Sequence, residues 1–151
     1  VPFRFFNVYG PRQRAGDAYA AVVPAFLDAA LAERSVPING DGLQSRDFTY
    51  VGDVVDVLAQ VALSGLDSAR PVNLAFGRRW TLLDVITELE ALLGRRLDVV
   101  FGPDRPGDVR HSQADPAGLI ELMGGGNPVE LGDGLARTLG WWESGRKAFS
   151  E

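Results

Sequence analysis

Apolar positions along this chain keep two different rhythms. Five short runs are β-prone and end in turn-forming Gly, Pro, Asn or Asp: residues 3–8, 36–39, 47–51, 72–75 and 97–101. Between them, apolar residues recur every three or four positions. One such stretch, 19–33, is rich in Ala and Leu and predicts a helix, with Pro24 tolerable only where regular helix begins close to it. A second covers 54–64, with Asp53 as the expected N-cap, Val54, Leu58, Val61 and Ala62 on one face, and Gly65 as the stop. A third opens at Thr81 with Asp84 in capping-box spacing and runs to Leu93 before Gly94. Its stripe is Val85, Ile86, Leu89, Leu92 and Leu93. Asp115 and Pro116 start a short helix ending at Met123, and a last helix is expected over 133–149, carrying Trp141 and Trp142.

The remainder reads as loops. Residues 9–13 form a Tyr-Gly-Pro turn, 14–17 a polar loop, 40–42 a Gly-Asp-Gly turn, and 102–112 a segment dense in Pro, Gly and charge. Strands and helices mix without a clean βαβαβ series. The pattern alone therefore permits α/β or α+β, with topology open.

Composition narrows the function classes. The 151 residues are 46% apolar, enough for one core or for part of a larger domain. A net charge of −5 offers no broad basic surface for nucleic acid. The absence of cysteine excludes disulfides, zinc-thiolate sites and thiol nucleophiles. No apolar run approaches the roughly 20 residues that cross a bilayer, and the expectation is a soluble, cytoplasmic protein. Lys147 is the only lysine among fifteen basic residues, so arginine is abundant throughout and each one must be weighed singly. The chain starts Val1-Pro2 and enters a β-prone run at once, which reads as a cut inside a longer protein.

Little conventional catalytic chemistry is present. His111 is the single histidine, in a charged loop with no nucleophile elbow nearby, and reads as a surface or hydrogen-bonding residue. A metal site would need clustered carboxylates, which are mostly explained as caps and exposed faces. Neither GxGxxG nor GxxxxGK[ST] occurs. Two arginine-bearing turns remain, around Arg46-Asp47 and in Arg105-Pro106-Gly107-Asp108-Val109-Arg110. Planar guanidinium forks on Gly- and Pro-stiffened turns could clamp a diphosphate, whereas the plainer alternative pairs each Arg with its neighbouring Asp or with solvent.

Taken together, four segments carry a resemblance. Residues 5–13 (FFNVYGPRQ), 19–24 (YAAVVP), 38–51 (INGDGLQSRDFTYV) and 105–115 (RPGDVRHSQAD) stand in the order and spacing of the NAD-dependent epimerase/dehydratase family, the extended short-chain dehydrogenase/reductases. Among these the chain most resembles the UDP-sugar 4-epimerases. The resemblance covers nearly all of the chain.

What it implies is the C-terminal half of an α/β, Rossmann-type enzyme. Residues near 3–8 and 72–75 would be late strands of the dinucleotide-binding sheet, and about 9–64 and 95–151 the small substrate domain. The N-terminal NAD-binding part, with its glycine-rich turn and Tyr-x-x-x-Lys pair, is absent from these residues. The fragment alone is therefore expected to be inactive. The family chemistry is NAD-dependent C4 epimerisation of UDP-glucose and UDP-galactose, with homodimers common. Carried over by position, Phe6 would border the NAD pocket and Asn7 would bond the nucleotide-sugar. Ala21 and Val22 would lie along the diphosphate; Pro37, Ile38 and Asn39 would flank the uracil. Arg46 and Arg105 would hold the diphosphate, Asp108 would accept from a ribose hydroxyl, and Asp47 would orient Arg46 or its turn. Ser112 would take a sugar-pocket position where a small side chain leaves room for the N-acetyl group of UDP-GlcNAc or UDP-GalNAc, the alternative being that it simply caps or bonds backbone. The rivals are a 4,6-dehydratase, decarboxylase or reductase of the same family, or a non-catalytic nucleotide-sugar binding module.

Overall fold

A computed structural model describes residues 1–14 and 21–148. The chain builds eight short strands and five helices among them: β1 (Phe3–Phe5), β2 (Val8–Tyr9), α1 (Val22–Leu31), β3 (Val36–Asn39), β4 (Ser45–Arg46), β5 (Thr49–Tyr50), α2 (Val51–Ser64), β6 (Val72–Leu74), β7 (Trp80–Thr81), α3 (Leu82–Leu93), β8 (Val99–Gly102), α4 (Ala117–Met123) and α5 (Leu131–Ala148). The fold class is α/β. Three of the four strand pairs are parallel: β1 with β6, β2 with β5, and β3 with β8. Parallel pairing demands long crossovers, which is why each pair joins segments far apart in sequence. The antiparallel pair is β4 with β7, and Ser45 also bridges His111.

Several boundaries differ from the sequence expectation for identifiable reasons. The run 3–8 is not one strand. It breaks at Phe6-Asn7 because its halves pair with different partners, Phe3↔Val72 on one side and Val8↔Thr49 on the other. Helix α2 starts at Val51 with Tyr50 as its N-cap, so Asp53 sits inside the first turn and accepts from the Val129 backbone N–H at 3.1 Å instead of capping. Its buried positions are Val54 and Val57, while Leu58 faces outward. Leu92 on α3 is likewise exposed, since the helix packs on the core through Leu82, Val85, Ile86 and Leu89. The strand expected over 97–101 shifts to Val99–Gly102, leaving Leu97 to plug the core just before it. The expected helix start at Tyr19 and most of the loop 14–17 lie outside the described residues.

Other signals carry through directly. Thr81 Oγ1 accepts from the Asp84 N–H, and the Asp84 carboxylate accepts from the Thr81 N–H, a complete capping box. Gly65 and Gly94 both adopt the left-handed conformation that closes their helices, a region where a Cβ is strained. Pro24 sits in the first turn of α1, where its missing N–H costs no helical bond.

The main core gathers α1, β3, α3 and α5 around Leu27, Val36, Ile38, Leu89 and Leu135. A smaller cluster lies between α2, β6 and α4 around Val54, Val57, Leu74 and Leu119. Tyr9 joins an aromatic corner, edge-to-face with Phe48 and Tyr50 at ring separations of 6.3 and 5.8 Å. Its hydroxyl donates to the Leu131 carbonyl, and burial pushes its pKa far up. That corner forms one wall of the cleft described next.

Candidate ligand cleft

The N-terminal end of α1 opens into a cleft of about 580 Å³, within the range of small-molecule sites. Helix geometry leaves the first backbone N–H groups of α1 without helical partners. Here the N-cap is Ala21, which has no side chain to bond them, and the first turn holds no acidic residue. Val22 and Val23 thus present donors beside the cleft, with the positive end of the helix dipole behind them.

Strand β4 supplies the opposite wall through simple alternation. Successive residues point to opposite faces, so Gln44 and Arg46 turn toward the cleft while Ser45 and Asp47 turn inward. The Arg46 side chain is 13% exposed. One of its nitrogens donates to the Ser45 carbonyl at 2.9 Å, and the other pairs with Asp108 on the 103–110 loop. Arg105, on that same loop, lines the cleft, and its backbone carbonyl accepts from the Asp108 N–H at 3.1 Å. Arg110 anchors the loop by a bidentate pair to Asp41, at 2.9 and 2.7 Å, which holds the Asp41 carboxyl below its ordinary range.

Of the two roles expected of Asp47, orienting Arg46 or its turn, its hydrogen bonds fit the second. It is fully buried, and its Oδ2 accepts from the backbone N–H groups of Gly77 at 3.0 Å and Ala114 at 3.1 Å. It therefore ties the loop after β6 and the segment before α4 to the back of β4. Burial raises its carboxyl pKa despite the opposing pull of those N–H groups. His111 is a hydrogen-bonding residue, its Nδ1 2.8 Å from Ser45 Oγ.

Of the positions singled out from sequence, Asn7, Ala21, Val22, Pro37, Asn39, Arg46, Arg105 and Asp108 all line this one cleft. Three do not. Ile38 alternates into the core from β3, so only its neighbours Pro37 and Asn39 face the cleft. Ser112 lies beside β4, its N–H donating to the Ser45 carbonyl at 3.0 Å, away from the lining. Phe6 sits half-buried in the break between β1 and β2. Gln44 was not among the candidates, although its spacing of two from Arg46 in an extended segment places it on the same face. Its Nε2 donates to the Asn39 carbonyl at 2.6 Å and fixes the corner of the cleft. A second cavity of about 320 Å³ between α2 and α4 contains none of these positions.

The arrangement has the chemistry to accept an anion. Two guanidinium groups and a helix start without a side-chain cap among the described residues line one space, and no group of three or more metal-ligating side chains exists among those residues. No GxGxxG turn occurs in the sequence.

Comparison with known proteins gives a consistent picture. Residues 1–75 match the NAD dependent epimerase/dehydratase family. The chain is 34% identical over 133 residues to a UDP-glucose 4-epimerase of Mycolicibacterium smegmatis, covering 88% of this chain and 42% of that protein. It is 30% identical to UDP-glucuronic acid decarboxylase 3 of Arabidopsis thaliana, over 87% of this chain and 37% of the relative. Among solved structures, UDP-N-acetylglucosamine 4-epimerase from Methanobrevibacter ruminantium, in complex with UDP-N-acetylmuramic acid, superposes with a TM-score of 0.86 at 36% identity, over 95% of this chain and 46% of the other. The chain thus spans less than half the length of the relatives it matches.

Proposed function

The chain belongs to the NAD-dependent epimerase/dehydratase family, and from that premise we propose that its cleft is the nucleotide-sugar site of a UDP-sugar 4-epimerase. The observation that carries the reading is that the α1 start, which has no side-chain cap among the described residues, lines one volume together with Arg46 and Arg105. A diphosphate satisfies all three at once. Its oxygens accept from the Val22 and Val23 N–H groups on one wall and from the two guanidinium forks on the other. Pro37 and Asn39 border the nucleoside end, next to Gln44, and Asn7 borders the sugar end.

In this reading β1 and β6 are late strands of the dinucleotide-binding sheet, and the segments about 9–64 and 95–151 make the substrate domain. Redox chemistry on the sugar belongs to the nicotinamide cofactor, which Phe6 would border. What these residues contribute is a fixed diphosphate anchor, which leaves the sugar free to present either face to the rest of the enzyme. The relatives with decarboxylase activity share the same anchor problem, so the grip on diphosphate is common ground and the C4 epimerisation is the finer part of the proposal.

Titration calorimetry of the intact protein with UDP tests it. Arg46→Ala removes a charge-assisted pair of hydrogen bonds, and UDP binding should weaken by roughly 10- to 100-fold. NAD binding should stay within twofold. Unchanged UDP affinity in this variant contradicts the assignment.

A further inference from the structure

None of the described residues of α5 lines the cleft, yet the first turns of that helix press on the wall behind it. We infer that Gly134 is a positioning residue for the cleft: its missing side chain makes the seat in which the Tyr9 hydroxyl rests, and that seat fixes Tyr9, Phe48 and the adjoining Asn7 where a ligand meets them. The inference rests on the nucleotide-sugar reading of the cleft and goes beyond it, since that reading gives α5 no part.

Tyr9 is buried, and its hydroxyl donates to the carbonyl of Leu131, the first residue of α5, at 3.3 Å. Gly134 lies one turn further along the same helix. A Cβ placed there would overlap the Tyr9 hydroxyl oxygen and stand 2.9 Å from Tyr9 Cζ and 3.2 Å from Tyr50 Cδ2. Carbon atoms in contact sit about 3.5 Å apart or more, so either the ring or the helix must move.

The helix is the less free of the two. Its Leu131, Leu135 and Leu139 are buried in the main core, and Arg137 lies over the Tyr50 ring, 5.5 Å from its centroid. Retreat of α5 would open that close-packed core, so the ring gives way. Tyr9 meets Phe48 edge-to-face, and its displacement passes to that ring, which lines the cleft. It passes along the backbone as well: Val8 and Tyr9 pair with Thr49 and Tyr50, and the Asn7 carbonyl accepts from the Thr49 N–H at 3.2 Å. Asn7, Tyr9 and Phe48 all belong to the cleft lining. One absent methyl group on α5 thus sets the place of a cleft wall.

Calorimetry with UDP on the intact protein tests this. Gly134→Ala should weaken UDP binding by roughly tenfold, and in a Tyr9→Phe background, where the overlapping oxygen is gone but Cζ remains, by roughly two- to threefold. Leu119→Ala, a truncation on α4 in the smaller core cluster, destabilises the fold away from this wall and should leave UDP affinity within about twofold. Hydrogen exchange of the ligand-free protein needs no nucleotide: Gly134→Ala should speed amide exchange in residues 7–9 and 48–50, whereas Gly140→Ala, whose Cβ would meet open space, should not. Unchanged UDP affinity in Gly134→Ala, an equal loss in the Tyr9→Phe background, or an equal loss in Leu119→Ala overturns the inference. Should Gly134→Ala fold only together with Tyr9→Phe, that pair must bind UDP more weakly than Tyr9→Phe alone, and equal affinities overturn it. Should UDP fail to bind the unaltered protein, the nucleotide reading falls, and exchange at 7–9 and 48–50 decides the positioning role: faster in Gly134→Ala upholds it, unchanged overturns it.

Discussion

Two adjacent residues, Arg46 and Asp47, show how one short strand separates binding from stability. Arg46 faces the cleft and Asp47 the interior, a consequence of strand alternation alone. The Asp47 carboxylate accepts from two backbone donors, the N–H groups of Gly77 and Ala114. Asp47→Ala strands both, and chemical denaturation should show a loss of about 2–4 kcal/mol. Its protonation has a definite sign. Burial raises the folded pKa above the ordinary 3.8, so the folded state holds the proton more tightly than the unfolded chain does. The contribution of this group to stability is then largest below pH 3.8 and declines as pH rises through the folded value. Asp47→Asn should flatten that part of the stability curve, and an unaltered slope would contradict the assignment. The residue types at 46 and 47 were readable from sequence as an Arg-Asp pair. Their division of labour was not, because it depends on which loops approach the back of β4.

At the scale of elements, legibility followed the locality of the signal. The capping box at Thr81 and Asp84, the stops at Gly65 and Gly94, and the strand Val36–Asn39 involve neighbours in sequence, and all stand as read. Thr81→Ala should cost about 1 kcal/mol in denaturant unfolding, the ordinary price of a lost cap. A cost below a few tenths would mean that packing of α3, not its cap, fixes the helix start. The break at Phe6-Asn7 and the start of α2 at Val51 were not legible. Both are imposed by partners more than forty residues away, Thr49 and Val72 for the first and Val129 for the placement of Asp53. The short strands β4 and β7 were missed for the same reason: two residues carry no period, and only their pairing with each other reveals them.

Across the whole molecule, four separated segments line one cleft: the break after β1, the start of α1, the segment from β3 to β4, and the loop after β8. Eight of the positions expected from sequence meet there, since the order of motifs carried their spatial relation. Ile38, Ser112 and Phe6 lie off the lining, where backbone direction rather than motif membership decides what a side chain touches. The proposed contribution of this chain is a grip; it contains no Tyr-x-x-x-Lys pair, and its relatives are more than twice as long. The central claim is therefore about the grip. A crystal structure of the intact protein with UDP tests it most directly. The account predicts phosphate oxygens within hydrogen-bond distance of the Val22 and Val23 N–H groups and of the Arg46 guanidinium, with Asp108 moved off Arg46. Phosphates bound elsewhere, with the Arg46–Asp108 pair intact, would contradict it.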